Sequence, residues 1–152
     1  MTRVLATGTF EILHPGHLYF FEQARQYGDE LYVLVSRSEN VRHKPKPVVS
    51  DEQRCQMVGS LRCVDHAFLG DRTDMMKPIR EIRPDVIVLG FDQYFDEEKL
   101  KSKLAENGIS AEIIRLQKLE GELCSSRRIA AGLAERFRKQ SESENRKLKP
   151  ES

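Results

Sequence analysis

The chain has 152 residues, a length that suits a single domain burying about 68–70% of its extended-chain surface. Charged residues make up 32%, yet the two signs nearly cancel to a net +1. That balance excludes a strong global field for nucleic acid or membrane, so any anion site must be built locally.

Three cysteines, Cys55, Cys63 and Cys124, are odd in number and lack metal-knuckle spacing. They argue against a disulfide framework and for a reducing, cytoplasmic setting. The first apolar run, Val4-Leu5-Ala6, is too short for a signal sequence or a membrane span.

In chain order, Val4–Thr7 reads as a strand. Leu18, Phe21 and Ala24 then fall at helical spacing, ending at Gly28. Leu31–Val35 reads as a second strand. Ser50-Asp51-Glu52 opens a helix with acidic residues in its first turn, continued by Met57, Val58 and Leu61. His66–Leu69 is a short strand, Pro78–Ile82 a short helix, and Asp85–Leu89 the clearest strand, stopped by Gly90. A charged helix carries Leu100 and Leu104 and ends at Asn107-Gly108. Glu112–Leu116 is the last strand, and Ser125 to about Phe137 the last helix.

This alternation predicts an α/β fold: a Rossmann-like open parallel five-stranded sheet with helices on both faces. Continuous apolar strands fit burial on both sides. From Arg138 to Ser152 only Leu148 is large and apolar. The reading is therefore one domain over 1–137 and a disordered or frayed polar tail over 138–152.

The segment from Gly8 to His17 leaves the first strand and enters the first helix. In open α/β sheets, ligands bind beyond the carboxyl ends of strands, at the topological switch point. The residue types suit an anion there. Pro15 fits the first helical position, and Gly16 opens the backbone. The amides of a helix start attract negative charge, and His14 and His17 add donors. Gly8 and Thr9 offer a second close backbone approach. The plain alternative is a helix cap with incidental histidines, but two histidines around Pro15-Gly16 directly after a strand favour a phosphate site. A zinc site lacks a Cys or acidic partner at suitable spacing, so no metal ligands are assigned.

Gly8-Thr9-Phe10 followed by His14-Pro15-Gly16-His17 resembles the HxGH signature of the cytidylyltransferase-like nucleotidyltransferases. The resemblance covers roughly residues 3–137 and implies a Rossmann-like core shared with class I aminoacyl-tRNA synthetases. A synthetase itself does not fit: the chain is too short and has no Lys-Met-Ser-Lys-Ser-type segment.

The resemblance implies further site residues. Lys44 and Lys46, held by alternating prolines in Lys44-Pro45-Lys46-Pro47, would contact triphosphate or acceptor phosphate. As residues they fit a cationic lid or an ordinary solvated loop. Arg54 and Arg62 lie eight apart, on roughly one side of a helix, and Arg62 would reach an acceptor phosphate, in some relatives across a dimer interface. Asp92, after the fourth strand, would meet the base or ribose. Ser125 and Ser126 are good helix caps whose hydroxyls would also donate to phosphates, with Arg127 and Arg128 adding charge. Lys118-Leu119-Glu120-Gly121 departs here from the Arg-Thr-Glu-Gly-Ile-Ser pattern of cytidylyltransferases. Cys124 sits where a thiol pKa can be lowered, but the chemistry needs no cysteine nucleophile.

The site assigned from this reading has His14, His17 and Lys44 in catalysis. Gly8, Thr9, Phe10, Pro15, Gly16, Asp92, Ser125, Ser126 and Arg127 join the two histidines on the nucleotide, and Lys46 and Arg62 bind the acceptor. The run Leu89-Gly90-Phe91-Asp92-Gln93, with Phe95 to Glu98 and Cys124-Ser125-Ser126, is most similar to archaeal FAD synthases, which adenylate FMN with ATP. A glycerol-3-phosphate cytidylyltransferase using CTP is the alternative, and a non-catalytic nucleotide-binding module a more distant one. The resemblance also implies a divalent metal, Mg2+, carried with the NTP, and a homodimer.

Overall fold

The computed structural model describes residues 1–42, 44–91, 93, 96–117, 119, 121 and 125–148. Five strands form one sheet: β1 (Arg3–Gly8), β2 (Glu30–Val35), β3 (His66–Leu69), β4 (Val86–Leu89) and β5 (Glu112–Arg115). Their order is β3-β2-β1-β4-β5 and every pairing is parallel. The expected open α/β sheet is thus present. The order reverses at β1, so the crevice between the carboxyl ends of β1 and β4 is the switch point.

The helices are α1 (Pro15–Arg25), α2 (Asp51–Gly59), α3 (Met76–Ile82), α4 (Glu97–Glu106) and α5 (Ser126–Leu148). Strand side chains alternate between two cores. Val4, Ala6, Val33, Val35, Val86 and Val88 face α1 and α2, with Phe21, Ala24 and Val58. Leu5, Leu34, Ile87 and Leu89 face α3 and α4, with Ile79, Leu100 and Leu104.

Two boundaries differ from the sequence reading. Helix α2 stops at Gly59, so Arg62 lies beyond it and does not share a helical side with Arg54. Helix α5 runs past Phe137 to Leu148, where an unordered tail was expected. The reason is local. Arg138 pairs with Glu135 and Glu142, and Lys139 with Glu135, at helical spacing. Each such pair supports a helix by about 0.2–0.5 kcal/mol. No residue of α5 is buried.

Candidate active site

The site starts from a strained turn after β1. Phe10 adopts a left-handed backbone (φ 53°) and is buried. Its ring folds back over Gly8, where an added Cβ would lie 2.5 Å from the Phe10 ring. The same ring packs on Phe21 (centroids 4.9 Å apart) and edge-on to His17 (5.5 Å). Gly8 was expected to let a phosphate approach; its missing side chain instead makes room for Phe10. A left-handed non-glycine residue costs energy, which this aromatic packing offsets. The turn therefore delivers the following loop in one conformation.

His14 caps α1 with its own ring: its Nδ1 accepts from the Gly16 amide at 3.1 Å. The His17 and Leu18 amides both donate to the His14 carbonyl, and Pro15 has no N–H. The free amides expected at this helix start are thus already used. An acceptor Nδ1 puts the proton of a neutral His14 on Nε2. His14 and His17 stack with centroids 3.8 Å apart.

His17 ionises at about 3, far below the ordinary 6.5. Burial is the main cause, and the nearby charges of His14 and Lys44 act in the same direction, against the Ile12 carbonyl. His17 is therefore a neutral ring at physiological pH. Its Nδ1 is buried without a hydrogen-bond partner among the described residues.

Arg54 holds this loop from beneath. It is 1% exposed, and all five of its N–H donors are engaged. Nε donates to Val49 O, one terminal nitrogen to Thr9 O and Ser36 O (both 2.8 Å), the other to Ser38 Oγ and Asp51. One guanidinium thus joins the ends of β1 and β2, the base of the lysine loop and the start of α2. Burial alone would raise the Asp51 carboxyl; the Ser38 hydrogen bonds and the Arg54 charge outweigh it and keep it low. Such a buried, fully paired arginine is a positioning residue and offers no donor to a substrate.

The lysine loop hangs near His17. Lys44 and Lys46 are both exposed, and the Lys44 charge is felt at His17. The loop is anchored where the Val48 amide donates to Glu11 (2.8 Å). Arg62 is not brought to this edge. It sits in the α2–β3 connection, whose Asp65 binds the amide of Leu31 near the start of β2. That is the amino-terminal edge of the sheet.

Asp92 lies outside the described residues, as does Cys124. At the carboxyl end of β4 two described residues have roles that the sequence reading missed. The Gln93 side chain donates to Thr7 O and Thr7 Oγ1 and accepts from the Gly90 amide, tying β1 to β4 across the switch point. Arg115 donates to the carbonyls of Gly90 and Gln93, both at 2.9 Å, and pairs with Glu97. Nothing in the spacing of Gln93 or Arg115 reveals these roles, because both depend on the pairing of distant strands.

The start of α5 reaches the same place. Ser126 Oγ donates to Ile12 O at 3.3 Å, within the β1–α1 loop. Ser125 caps the helix through Oγ and its carbonyl, and Arg128 binds Gly121 O. Arg127 is exposed at this helix start. His14, His17, Lys44, Ser126 and the α5 start therefore gather around one loop.

The Cytidylyltransferase-like family model matches residues 5–132, and the chain belongs to that family. Its relatives include a protein named FAD synthase in Methanolacinia petrolearia, 61% identical over 85% of this chain and 88% of the relative. Another of that name, in Methanohalophilus mahii, is 58% identical over 91% of this chain and 98% of the relative. Among solved structures, a lipopolysaccharide core biosynthesis protein from Thermoplasma volcanium superposes with a TM-score of 0.75 at 42% identity, covering 79% of this chain and 99% of that one.

Proposed function

We propose that the chain is an FAD synthase, transferring AMP from ATP to FMN and releasing pyrophosphate. The observation that carries the mechanism is the stacked His14–His17 pair. The high identity to proteins named FAD synthase supports the choice of acceptor over glycerol 3-phosphate.

An FMN phosphate oxygen attacks the α-phosphorus of ATP, the bond to the bridging oxygen breaks, and pyrophosphate leaves with the electron pair. The second pKa of such a phosphate is about 6, so the nucleophile is already ionised near neutrality and needs no strong base. Catalysis then rests on placement and on stabilising charge in the transition state. The imidazole N–H groups donate to α- and β-phosphate oxygens. A neutral His17 gives a donor without the cost of burying a charge. Lys44 contributes its cation from the loop above, and Arg127 from the α5 start. Asp92 reads the nucleoside, and Lys46 meets an acceptor phosphate.

The divalent cation, Mg2+, enters with ATP. It would be held mainly by the ATP phosphates and would offset their charge as the bond breaks. The catalytic unit spans 1–137. Arg62, at the far edge of the sheet, serves an acceptor only if a second subunit presents it, which fits the homodimer implied by the family resemblance.

Pyrophosphate release settles the acceptor. FMN with ATP should turn over, and CTP with glycerol 3-phosphate should not. Turnover with the second pair alone would replace this reading with the cytidylyltransferase. Tight ATP binding with no turnover would replace it with a binding module.

A further inference from the structure

A cleft of about 330 Å³ opens at the carboxyl edge of the sheet, on the α3/α4 face. It reaches Thr7, one residue before Gly8, from which the loop to His14 departs. Its floor is apolar: Leu34, Ile79, Leu89 and Leu100, with Met75 at the side. Its rim is polar, and two rim side chains are already aimed by the chain after β3. Arg37 Nε donates to Gly70 O at 2.6 Å, and Asn40 Nδ2 donates to Asp71 O at 3.2 Å. The terminal nitrogens of Arg37 and the Oδ1 of Asn40 have no hydrogen-bond partner among the described residues. An oriented donor pair thus stands beside an oriented acceptor, above an apolar floor.

The sheet order says which substrate this cleft serves. The residues read as nucleotide contacts, Asp92 and Ser125 to Arg127, follow β4 and β5. The cleft rim follows β2 and β3, across β1. In-line displacement sets the acceptor opposite the departing pyrophosphate, and the residues read as phosphate contacts, Ser125 to Arg127, follow β5, so the half-site across β1 falls to the acceptor.

We propose that this cleft seats the planar ring of the acceptor, a tricyclic flavin. Its alkylated benzene end lies on the apolar floor. Its other edge carries carbonyl, N–H and carbonyl in sequence, which matches donors from Arg37 and the acceptor on Asn40. Mostly apolar pockets with a few placed polar groups are the usual form of such sites. The ribityl phosphate then runs past Thr7 toward His14. Arg37 and Asn40 set the acceptor's identity, and the histidines are indifferent to it.

This inference rests on the FAD synthase reading for its acceptor but can be tested apart from it. Riboflavin has the same ring and no phosphate, so quenching of its fluorescence by the full chain without ATP reports the cleft alone. Steady-state kinetics with FMN and ATP reports the reaction. In Asn40→Leu and Met75→Trp, riboflavin binding should weaken about tenfold, a change of about 1.4 kcal/mol. KM for FMN should rise in parallel, with KM for ATP within about twofold of the unsubstituted chain. Both sites are exposed, and thermal melts check that the fold survives. A rise confined to KM for ATP would overturn the assignment, as would riboflavin binding that is absent or unmoved by either substitution. If riboflavin binding depends on Asn40 but no FAD forms, the cleft stands and the proposed reaction falls. If FAD forms with unchanged FMN kinetics in both variants, the reverse holds.

Discussion

The β1–α1 junction and the start of α5 meet at the hydrogen bond from Ser126 to Ile12, and they are built on opposite terms. The junction is packed from below. Phe10 is locked over Gly8, His14 caps its own helix, and Arg54 ties four segments together. Helix α5 buries none of its residues. The junction owes its geometry to the core of the domain, and α5 owes its geometry to itself. Groups that act on the reacting phosphorus gain from being preorganised; groups that close over a substrate gain from being loosely held.

The contrast breaks most directly at Arg54. Arg54→Met would remove five hydrogen bonds, leave three carbonyls unsatisfied and deprive Asp51 of its cation, with only the Ser38 hydrogen bonds remaining to it. Losing one partner of a buried, hydrogen-bonded charge costs about 3–5 kcal/mol. Chemical denaturation should show a loss of that size. If stability fell by less than about 1 kcal/mol, the junction would not depend on this clamp.

His17→Ala probes the chemistry the clamp supports. Removing a donor aimed at the transition state costs about 2.7–4 kcal/mol, or roughly 100–1,000-fold in rate. The expected signature is a collapse of kcat with a much smaller change in KM for ATP. A fall of less than about tenfold would remove His17 from the catalytic set.

The pH dependence of stability tests whether His17 is buried neutral. In the fold it ionises at about 3, against 6.5 for an ordinary histidine. Between those values the unfolded chain takes up a proton there and the folded chain does not. Stability should therefore fall as pH drops from about 6.5 toward 3, and be flat in this respect above neutrality. Thermal melts of the unsubstituted chain and His17→Asn at pH 7 and pH 5 isolate the term: the unsubstituted chain should lose more on acidification. Equal losses would mean that His17 is protonated in the fold.

The sequence shows the frame of this site more clearly than its joints. Leu31–Val35 and Val86–Leu89 are continuous apolar runs and could only be buried strands, so the sheet and the place of His14 to His17 at its edge were readable. The joints depend on contacts between distant residues. Gly8 reads as a phosphate approach because glycine usually marks backbone access. That Phe10 turns back onto it requires a left-handed phenylalanine, which no local pattern announces. Arg54 reads only as a helical cation eight residues before Arg62, and nothing local marks it as buried, since arginine rarely is. Its partners come from segments up to 45 residues away. Arg37 and Asn40 are oriented by Gly70 and Asp71, which reach them because β3 pairs with β2.

The smallest expected effect lies in the second half of α5. Residues Arg138 to Leu148 continue the helix with exposed ion pairs and no buried residue. Exposed pairs are worth about 0.2–1 kcal/mol at most, and many contribute nothing measurable. Deleting the chain from Arg138 onward should therefore reduce the helical circular-dichroism signal while shifting unfolding free energy by less than about 0.5 kcal/mol. FAD formation should persist, because Ser125 to Arg128 remain. A large loss of stability would mean that this half of α5 packs on something in solution. A loss of kcat with stability kept would carry the site beyond the first turns of α5, and the division between a packed junction and a self-supporting helix would no longer coincide with the division between chemistry and closure.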